Sequence, residues 1–437
     1  MKTVLCLGAG LVARPYVQYL CKRGYHVIVA SRTKEKAEGL IQGCQSAEAV
    51  QFNIKDNDEL LQELVNKSDL VCSLLPYTYH VKAAKVAIEN NKHFCTTSYI
   101  SDEMQELDKT AKEADVILLN ECGVDPGIDH MSAQKIIDEI HDQDGRIISF
   151  TSFTGGLPAP EANDNPFGYK LSWSPRGVLL AGRNDAQFLQ DGEEVTIPGS
   201  ELFNNCKTME IPEMGEFEGY PNRDSLSYID IYDINEVETM LRGTLRYPGW
   251  CNTIQAIADL GLLDLTEREL SGITYSEMIQ QMLPQDRTPR NAVAKKLDLE
   301  PSDPVIERLD WLGLFSQEIV PDERNTYLDA LCNLFEEKLQ YASGERDMIV
   351  MHHEFVAQYP DKKEKITSTL IDYGIPDGDT SMSRTVALPV AIATRLILQG
   401  EIEARGVHRP ILPQIYEPIL SELKELGIEL KERTTEL

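Results

Sequence analysis

The chain has 437 residues, 42% hydrophobic and 26% charged, which suits a folded soluble protein of two or three domains. Its formal net charge of −29 excludes nucleic acid and anionic membrane surfaces as partners, because a polyanion would be repelled. Any anionic ligand must instead be met by locally placed arginine or lysine, so arginines inside motifs carry the information.

In chain order, Thr3–Leu7 is an apolar run ending at Gly8, Val12–Arg23 has helical periodicity, and His26–Ala30 is a second strand. Ala47–Asn53 reads as a strand, Asp58–Asn66 as a helix, Leu70–Leu75 as a strand and His80–Asn90 as a helix. His93–Thr97, the helical stretch Asp102–Ala114 and the strand Val116–Asn120 complete the series. Strand and helix alternating in this way predict an α/β Rossmann domain, a parallel sheet wound on both faces, over residues 1–125.

After Pro126 strand-like runs predominate: Arg146–Phe153, Val195–Ile197, Ser227–Ile234, Thr244–Tyr247, Met348–Phe355 and Ile366–Tyr373. Loops rich in Pro and Gly, such as Gly155–Pro166, separate them. They predict a mixed α/β domain over 126–250 and 343–389, for substrate binding and dimerisation, interrupted by an all-α insertion at 251–342. A long helix, Ser381–Ile402, is expected to kink at Pro389. A helix at Pro418–Leu426 and an extended Ile428–Lys431 follow, and residues 390–437 are expected to complete the first domain.

The nine cysteines show no CxxC pair, and no charged leader or bilayer-length apolar run is evident. These features predict reduced thiols and a cytoplasmic location. His352 and His353 are adjacent on a strand and point to opposite faces, so no metal site is expected there.

Gly8-Ala9-Gly10-Leu11-Val12-Ala13 lies between a strand and a helix, the context a dinucleotide fingerprint requires. Gly8 allows the tight turn, Gly10 lets the backbone approach a pyrophosphate, and Ala13 keeps helix and strand close. The second strand ends in Ser31-Arg32-Thr33, where an NAD site would carry a carboxylate for the ribose hydroxyl. Hydroxyls and a guanidinium suit a 2′-phosphate, so NADP is the expected cofactor. Asp125, held before Pro126 at the carboxyl end of the sheet, is a candidate site residue. Asp129 and His130 fall inside the next helix and are expected to be structural. Arg176, Arg223, Arg242 and Arg246 stand beside turns or on a strand in a chain short of positive charge, which points to a ligand with several carboxylates.

The ordered motifs Gly8–Pro15, Ser73–Tyr77, Thr97–Tyr99, Val124–His130, Gly155–Pro160, Trp173–Gly182, Pro221–Ser225 and Gly243–Tyr247 resemble those of the saccharopine reductases. The resemblance runs from end to end. It implies an NADP-dependent enzyme that reduces the imine of aminoadipate semialdehyde and L-glutamate to saccharopine, commonly as a homodimer, in lysine metabolism. It places Ser98, Tyr99, Asp125, Arg223, Thr244, Leu245 and Arg246 at the substrate, with Asp125 and Tyr99 as catalytic candidates. It places NADP against Gly8, Gly10–Ala13, Ser31, Arg32, Thr33, Asn53, Ile54, Leu75, Thr97, Ser98, Val124, Asp125, Pro126, Ser174, Pro175, Arg176 and Gly177. Thr154 stands where many members have cysteine, and the additional reductase domain of the bifunctional members is absent, so one step is expected. The rival readings are a related imine reductase for polyamines, whose cationic substrates would call for an acidic site, and a noncatalytic NADP-binding sensor.

Overall fold

A computed structural model describes residues 1–284 and 287–437, so two positions of the expected all-α stretch, 285 and 286, lie outside the described residues. The chain divides into two compact units, Met1–Gly145 with Ser368–Glu432, and Arg146–Thr367 with Arg433–Leu437.

In chain order the first unit holds β1 (Thr3–Leu7), α1 (Ala13–Lys22), β2 (His26–Ser31), α2 (Lys34–Leu40) and β3 (Ala47–Gln51). It continues with α3 (Asp58–Lys67), β4 (Leu70–Ser73), α4 (His80–Glu89) and β5 (His93–Thr96). The expected helix Asp102–Ala114 is two short ones, α5 (Asp102–Gln105) and α6 (Asp108–Glu113), and β6 (Ile117–Leu119) and α7 (Ile128–His141) follow.

Next come β7 (Arg146–Pro158), α8 (Pro175–Ala181), β8 (Ala186–Gln190), β9 (Glu193–Ile197), β10 (Lys207–Ile211) and β11 (Gly215–Pro221). Then α9 (Ser227–Ile231) and β12 (Thr239–Arg246) lead into five helices: α10 (Trp250–Asp259), α11 (Tyr275–Gln281), α12 (Pro289–Lys296), α13 (Pro304–Leu312) and α14 (Tyr327–Lys338). The chain closes with β13 (Asp347–Gln358), β14 (Lys363–Tyr373), α15 (Ser381–Gln399), β15 (Gly406–His408), α16 (Pro413–Glu425) and β16 (Leu430–Glu436).

The first sheet runs β15-β6-β5-β4-β1-β2-β3, and each of its pairs is parallel. The order reverses at β1, which puts the switch point of a doubly wound sheet between β1 and β4. Continuous apolar strands such as β1, whose last four residues are buried, suit a sheet covered on both faces. Leu5, Leu7, Ile28, Phe52, Phe94 and Leu118 form part of one core cluster, and each such side chain adds about 1.5–3 kcal/mol. The edge strand β15 comes from the far end of the chain and extends the same parallel ladder.

The second sheet is mixed, ordered β10-β11-β12-β7-β13-β14-β16, with β8 and β9 paired off β12. Within it β12 pairs β7 in parallel, whereas β11 pairs β12 and β13 pairs β7 antiparallel.

Several expectations need correction. Ser227–Ile231 is a helix; its alternating apolar and polar residues imitate a strand, but Ser225 and Leu226 start a helical turn. The strand β7 runs on through Gly155-Gly156-Leu157-Pro158, pairing with Asp347–Val350 of β13. Gly155 is needed there, because a Cβ would lie 2.6 Å from the Leu245 carbonyl oxygen. The last strand, β16, joins the second sheet and not the first. Cys21, in the last turn of α1, and Cys44, before β3, form a disulfide with Cα atoms 5.4 Å apart. Their 23-residue separation matches no spacing that marks a pair in sequence. By length and composition α15 is able to cross a membrane, but 67% of its most apolar stretch is buried, as in a core helix.

Candidate active site

The first unit gathers its candidate residues at the carboxyl ends of β1, β2, β4, β5 and β6. Gly8 has φ +113°, and a Cβ there would stand 2.9 Å from the Leu74 carbonyl oxygen, so only glycine fits. Gly10 faces open space, with nothing within 4 Å of a Cβ position. The cap residue of α1, Val12, provides no side-chain acceptor, whereas α3 is capped by Asn57 accepting from the Leu60 N–H at 3.1 Å. A helix start without a side-chain acceptor, entered through an open glycine turn, fits a phosphate.

Arg32 and Thr33 are exposed and Ser31 is half-buried at the end of β2. No carboxylate pairs with Arg32 among the described residues. These three residues therefore fit a 2′-phosphate. Asn53 instead holds its own loop, hydrogen-bonding Asp56 and accepting from the Lys55 N–H at 3.2 Å. Ile54 is buried in the core, and its carbonyl accepts from Lys82 Nζ at 2.7 Å, so only its backbone is left for a cofactor. Leu11 is exposed, and Leu75 packs partly on the core.

Tyr99, after β5, donates its hydroxyl to Asp125 Oδ1 at 3.4 Å. Asp125 precedes a cis bond to Pro126, and α7 starts from Gly127, so Asp125 is not its N-cap. Gly123 donates its N–H to the Pro126 carbonyl at 2.9 Å, closing a tight loop around buried Val124. Thr97 packs beneath that loop, its Cβ 3.2 Å from where a Gly123 Cβ would stand.

Two buried networks behind these residues centre on His80 and Glu121, which stand in none of the motifs. His80 Nε2 meets Ser98 Oγ at 2.8 Å and Thr96 Oγ1 at 3.2 Å, while Nδ1 meets Ser73 Oγ at 2.9 Å. Burial pushes the His80 pKa down to about 4, so the ring is neutral near pH 7. Glu121 receives His130 Nε2 at 2.8 Å, Arg409 Nε at 2.9 Å and the Ile100 N–H at 3.0 Å. Burial pushes the Glu121 carboxyl up, but His130, Arg409 and the Ile100 N–H outweigh it and hold it below its ordinary range. Asp129 accepts from the Gly127 N–H at 2.5 Å. Asp129 thus fastens the start of α7, and His130 is tied to Glu121.

The second unit carries the arginines. Along β12, Arg242, Thr244 and Arg246 share one face, as alternate strand residues do, and Leu245 is buried on the other. Arg246 is 6% exposed. Its Nη1 donates to the Leu245 carbonyl at 2.7 Å, while Nε has no hydrogen-bond partner. Its guanidinium lies over the rings of Tyr169 and Trp250, 5.1 and 5.4 Å from their centroids. No carboxylate pairs with it among the described residues. A buried guanidinium left without an anion is costly, and the arrangement fits an anionic ligand group.

Thr154 pairs in register with Thr244, and its buried hydroxyl also has no partner. Arg242 is stacked on Tyr228, 4.1 Å from the ring centroid. Arg223 is exposed with φ +52°. The β11–β12 register separates the Pro221–Gly243 pair from the Glu218–Arg246 pair by roughly 10 Å. Arg223 lies beyond the former pair, so the two arginines start from well-separated points of the ladder. Ser174 caps α8, accepting from the Gly177 N–H at 3.3 Å, with Pro175 in the first turn. Arg176 is paired with Asp329.

Two family models match the chain, the saccharopine dehydrogenase NADP binding domain over residues 4–119 and the saccharopine dehydrogenase C-terminal domain over residues 123–428. The chain is 41% identical to a saccharopine dehydrogenase [NADP(+), L-glutamate-forming] of Schizosaccharomyces pombe, and 42% identical to that of Saccharomyces cerevisiae, covering 99% of both chains in each case. It is 37% identical to a mitochondrial alpha-aminoadipic semialdehyde synthase of Bos taurus, covering 48% of that longer protein. Among solved structures it matches an apo saccharopine dehydrogenase (L-Glu forming) from Saccharomyces cerevisiae with a TM-score of 0.92 over 100% of both chains.

Proposed function

This chain belongs to the saccharopine dehydrogenase family, and on that premise we propose that it is an NADP-dependent oxidoreductase interconverting saccharopine with L-glutamate and aminoadipate semialdehyde. In the forward direction the glutamate amine condenses with the aldehyde, water leaves, and the resulting imine is reduced to the secondary amine of saccharopine. When bound, NADPH supplies the hydride. The reaction belongs to lysine metabolism.

The observation that carries the reading is Arg246, a buried guanidinium that pairs with no carboxylate among the described residues. Saccharopine has three carboxylates, and Arg246 provides a fixed anchor for one of them. Arg223 is separated from Arg246 along the β11–β12 ladder, which suits a long ligand with carboxylates at different positions. A protonated imine is already electrophilic, so the chain's main task in reduction is to hold it at near-attack distance. Carbinolamine formation and dehydration need proton transfer, and the Tyr99–Asp125 pair is the candidate for it.

A polyamine substrate would place a cation against Arg246, which disfavours that alternative. The homodimer and the cytoplasmic location remain part of the same proposal. The dimer is tested by light scattering on the purified protein, and a mass near that of one chain would remove it. The function is tested by incubating the protein with NADPH, glutamate and the semialdehyde and identifying the product by mass spectrometry. Saccharopine is expected; its absence with active cofactor binding would overturn the assignment.

A further inference from the structure

Three ligand atoms converge in the second unit, next to β12, where Glu218 of β11 is the register partner of Arg246. The sulfurs of Cys206 and Cys251 and a carboxylate oxygen of Glu218 all lie within 4.8 Å of one another. They come from three separate places: Cys206 immediately before β10, Glu218 on β11, and Cys251 in the first turn of α10. Cys251 is buried, while Cys206 and Glu218 are half-buried, so the cluster opens to solvent on one side.

We propose that Cys206, Glu218 and Cys251 form a binding site for a thiophilic divalent cation of the zinc type, with water as a fourth ligand. Sulfurs bound tetrahedrally to zinc at about 2.3 Å stand roughly 3.8 Å apart. The observed cluster therefore needs only small side-chain shifts to close on an ion. Two sulfurs select a soft or borderline metal over magnesium or calcium, which take oxygen ligands.

The surroundings bear on the charge. Glu218 accepts from the Gly249 N–H with one carboxylate oxygen and from the Cys251 N–H with the other, each at 2.8 Å. It thereby offsets the positive end of α10, which would otherwise repel a cation. No lysine or arginine pairs with Glu218 among the described residues, so its charge is not already neutralised. Each carboxylate oxygen keeps a second lone pair for a metal. A bound ion would tie the β10–β11 hairpin to the start of α10, and α10 begins four positions after Arg246.

The test uses the full-length protein, reduced, stripped with a chelator and then given zinc or cobalt alone. Zinc retained after gel filtration is expected at about one equivalent per chain, as for a structural site. Cobalt is expected to give a thiolate charge-transfer band and the visible spectrum of a four-coordinate ion. Cys206→Ser and Cys251→Ser should each lose both signals. A double substitution of Cys21 and Cys44 by serine should keep them, which excludes the reduced disulfide as the source. The cobalt spectrum of the unsubstituted protein decides the matter even if a variant folds poorly. No retained zinc, a cobalt spectrum without thiolate ligation, or uptake unchanged by Cys206→Ser would overturn the proposal, as would a Cys206–Cys251 disulfide that persists under reductant.

Discussion

Tyr99 Oη donates to Asp125 Oδ1 at 3.4 Å, joining the residues that follow β5 and β6 at the carboxyl edge of the first sheet. The bond is long and therefore weak, so it binds Tyr99 and Asp125 only loosely to each other. Asp125→Asn keeps size and much of the hydrogen bonding but removes the charge. Turnover should fall by about 10–100-fold, below the largest acid–base effects. Steady-state kinetics check it, and a loss beyond roughly ten-thousand-fold with cofactor binding intact would make Asp125 the indispensable acid.

Arg32 should set the choice of cofactor. It is exposed beside Ser31 and Thr33, and no carboxylate pairs with it among the described residues. Arg32→Asp removes a phosphate partner and adds a repelling charge, so NADPH binding should weaken by about 2–4 kcal/mol while NADH binding barely changes. Fluorescence titration with both cofactors measures the difference. Equal losses for both would mean that Arg32 supports the strand end alone.

Arg246 should separate substrate binding from stability. Arg246→Met deletes the anchor for a carboxylate and is expected to weaken saccharopine by about 2–4 kcal/mol, leaving NADPH affinity nearly intact. The unfolding temperature should hold or rise, because the guanidinium is buried and pairs with no carboxylate among the described residues. Calorimetric titration and thermal unfolding report the two effects. A large fall in Tm would mark Arg246 as a structural residue.

Acid should weaken the fold through His80. Its pKa is pushed down to about 4 by burial, against about 6.5 for an exposed histidine. Below pH 6.5 the unfolded chain binds the proton more readily than the folded one, so this contribution is complete above 6.5 and lost as pH falls toward 4. The loss is on the order of 3 kcal/mol in total. His93, also pushed down to about 4 by burial, adds in the same direction. His80→Gln should flatten the fall in denaturant titrations across this range, and an unchanged slope would assign it elsewhere.

The sheet around β1 was legible because buried parallel strands are continuous apolar runs and the glycine turn after β1 is a local signal. The strand β15 was not, since three residues opening on Gly406 offer no periodicity, and the pairing with β6 joins residues far apart in the chain. The same limit applies to the candidate site. Arg246 and Asp125 stand in recognisable motifs. His80 and Glu121 act through partners such as Ser98 and Arg409, 18 and 288 positions away, and only folding brings them together. The Cys21–Cys44 bond was missed for the same reason.

The central claim is that the chain reduces an imine built from two substrates with NADPH. The most direct measurement is the initial rate of NADPH oxidation in the presence of both L-glutamate and aminoadipate semialdehyde, with each omitted in turn and NADH substituted for NADPH. Oxidation is expected only when both substrates are present, at a rate with NADH well below that with NADPH. Oxidation with the aldehyde alone, or an equal or greater rate with NADH, would contradict it.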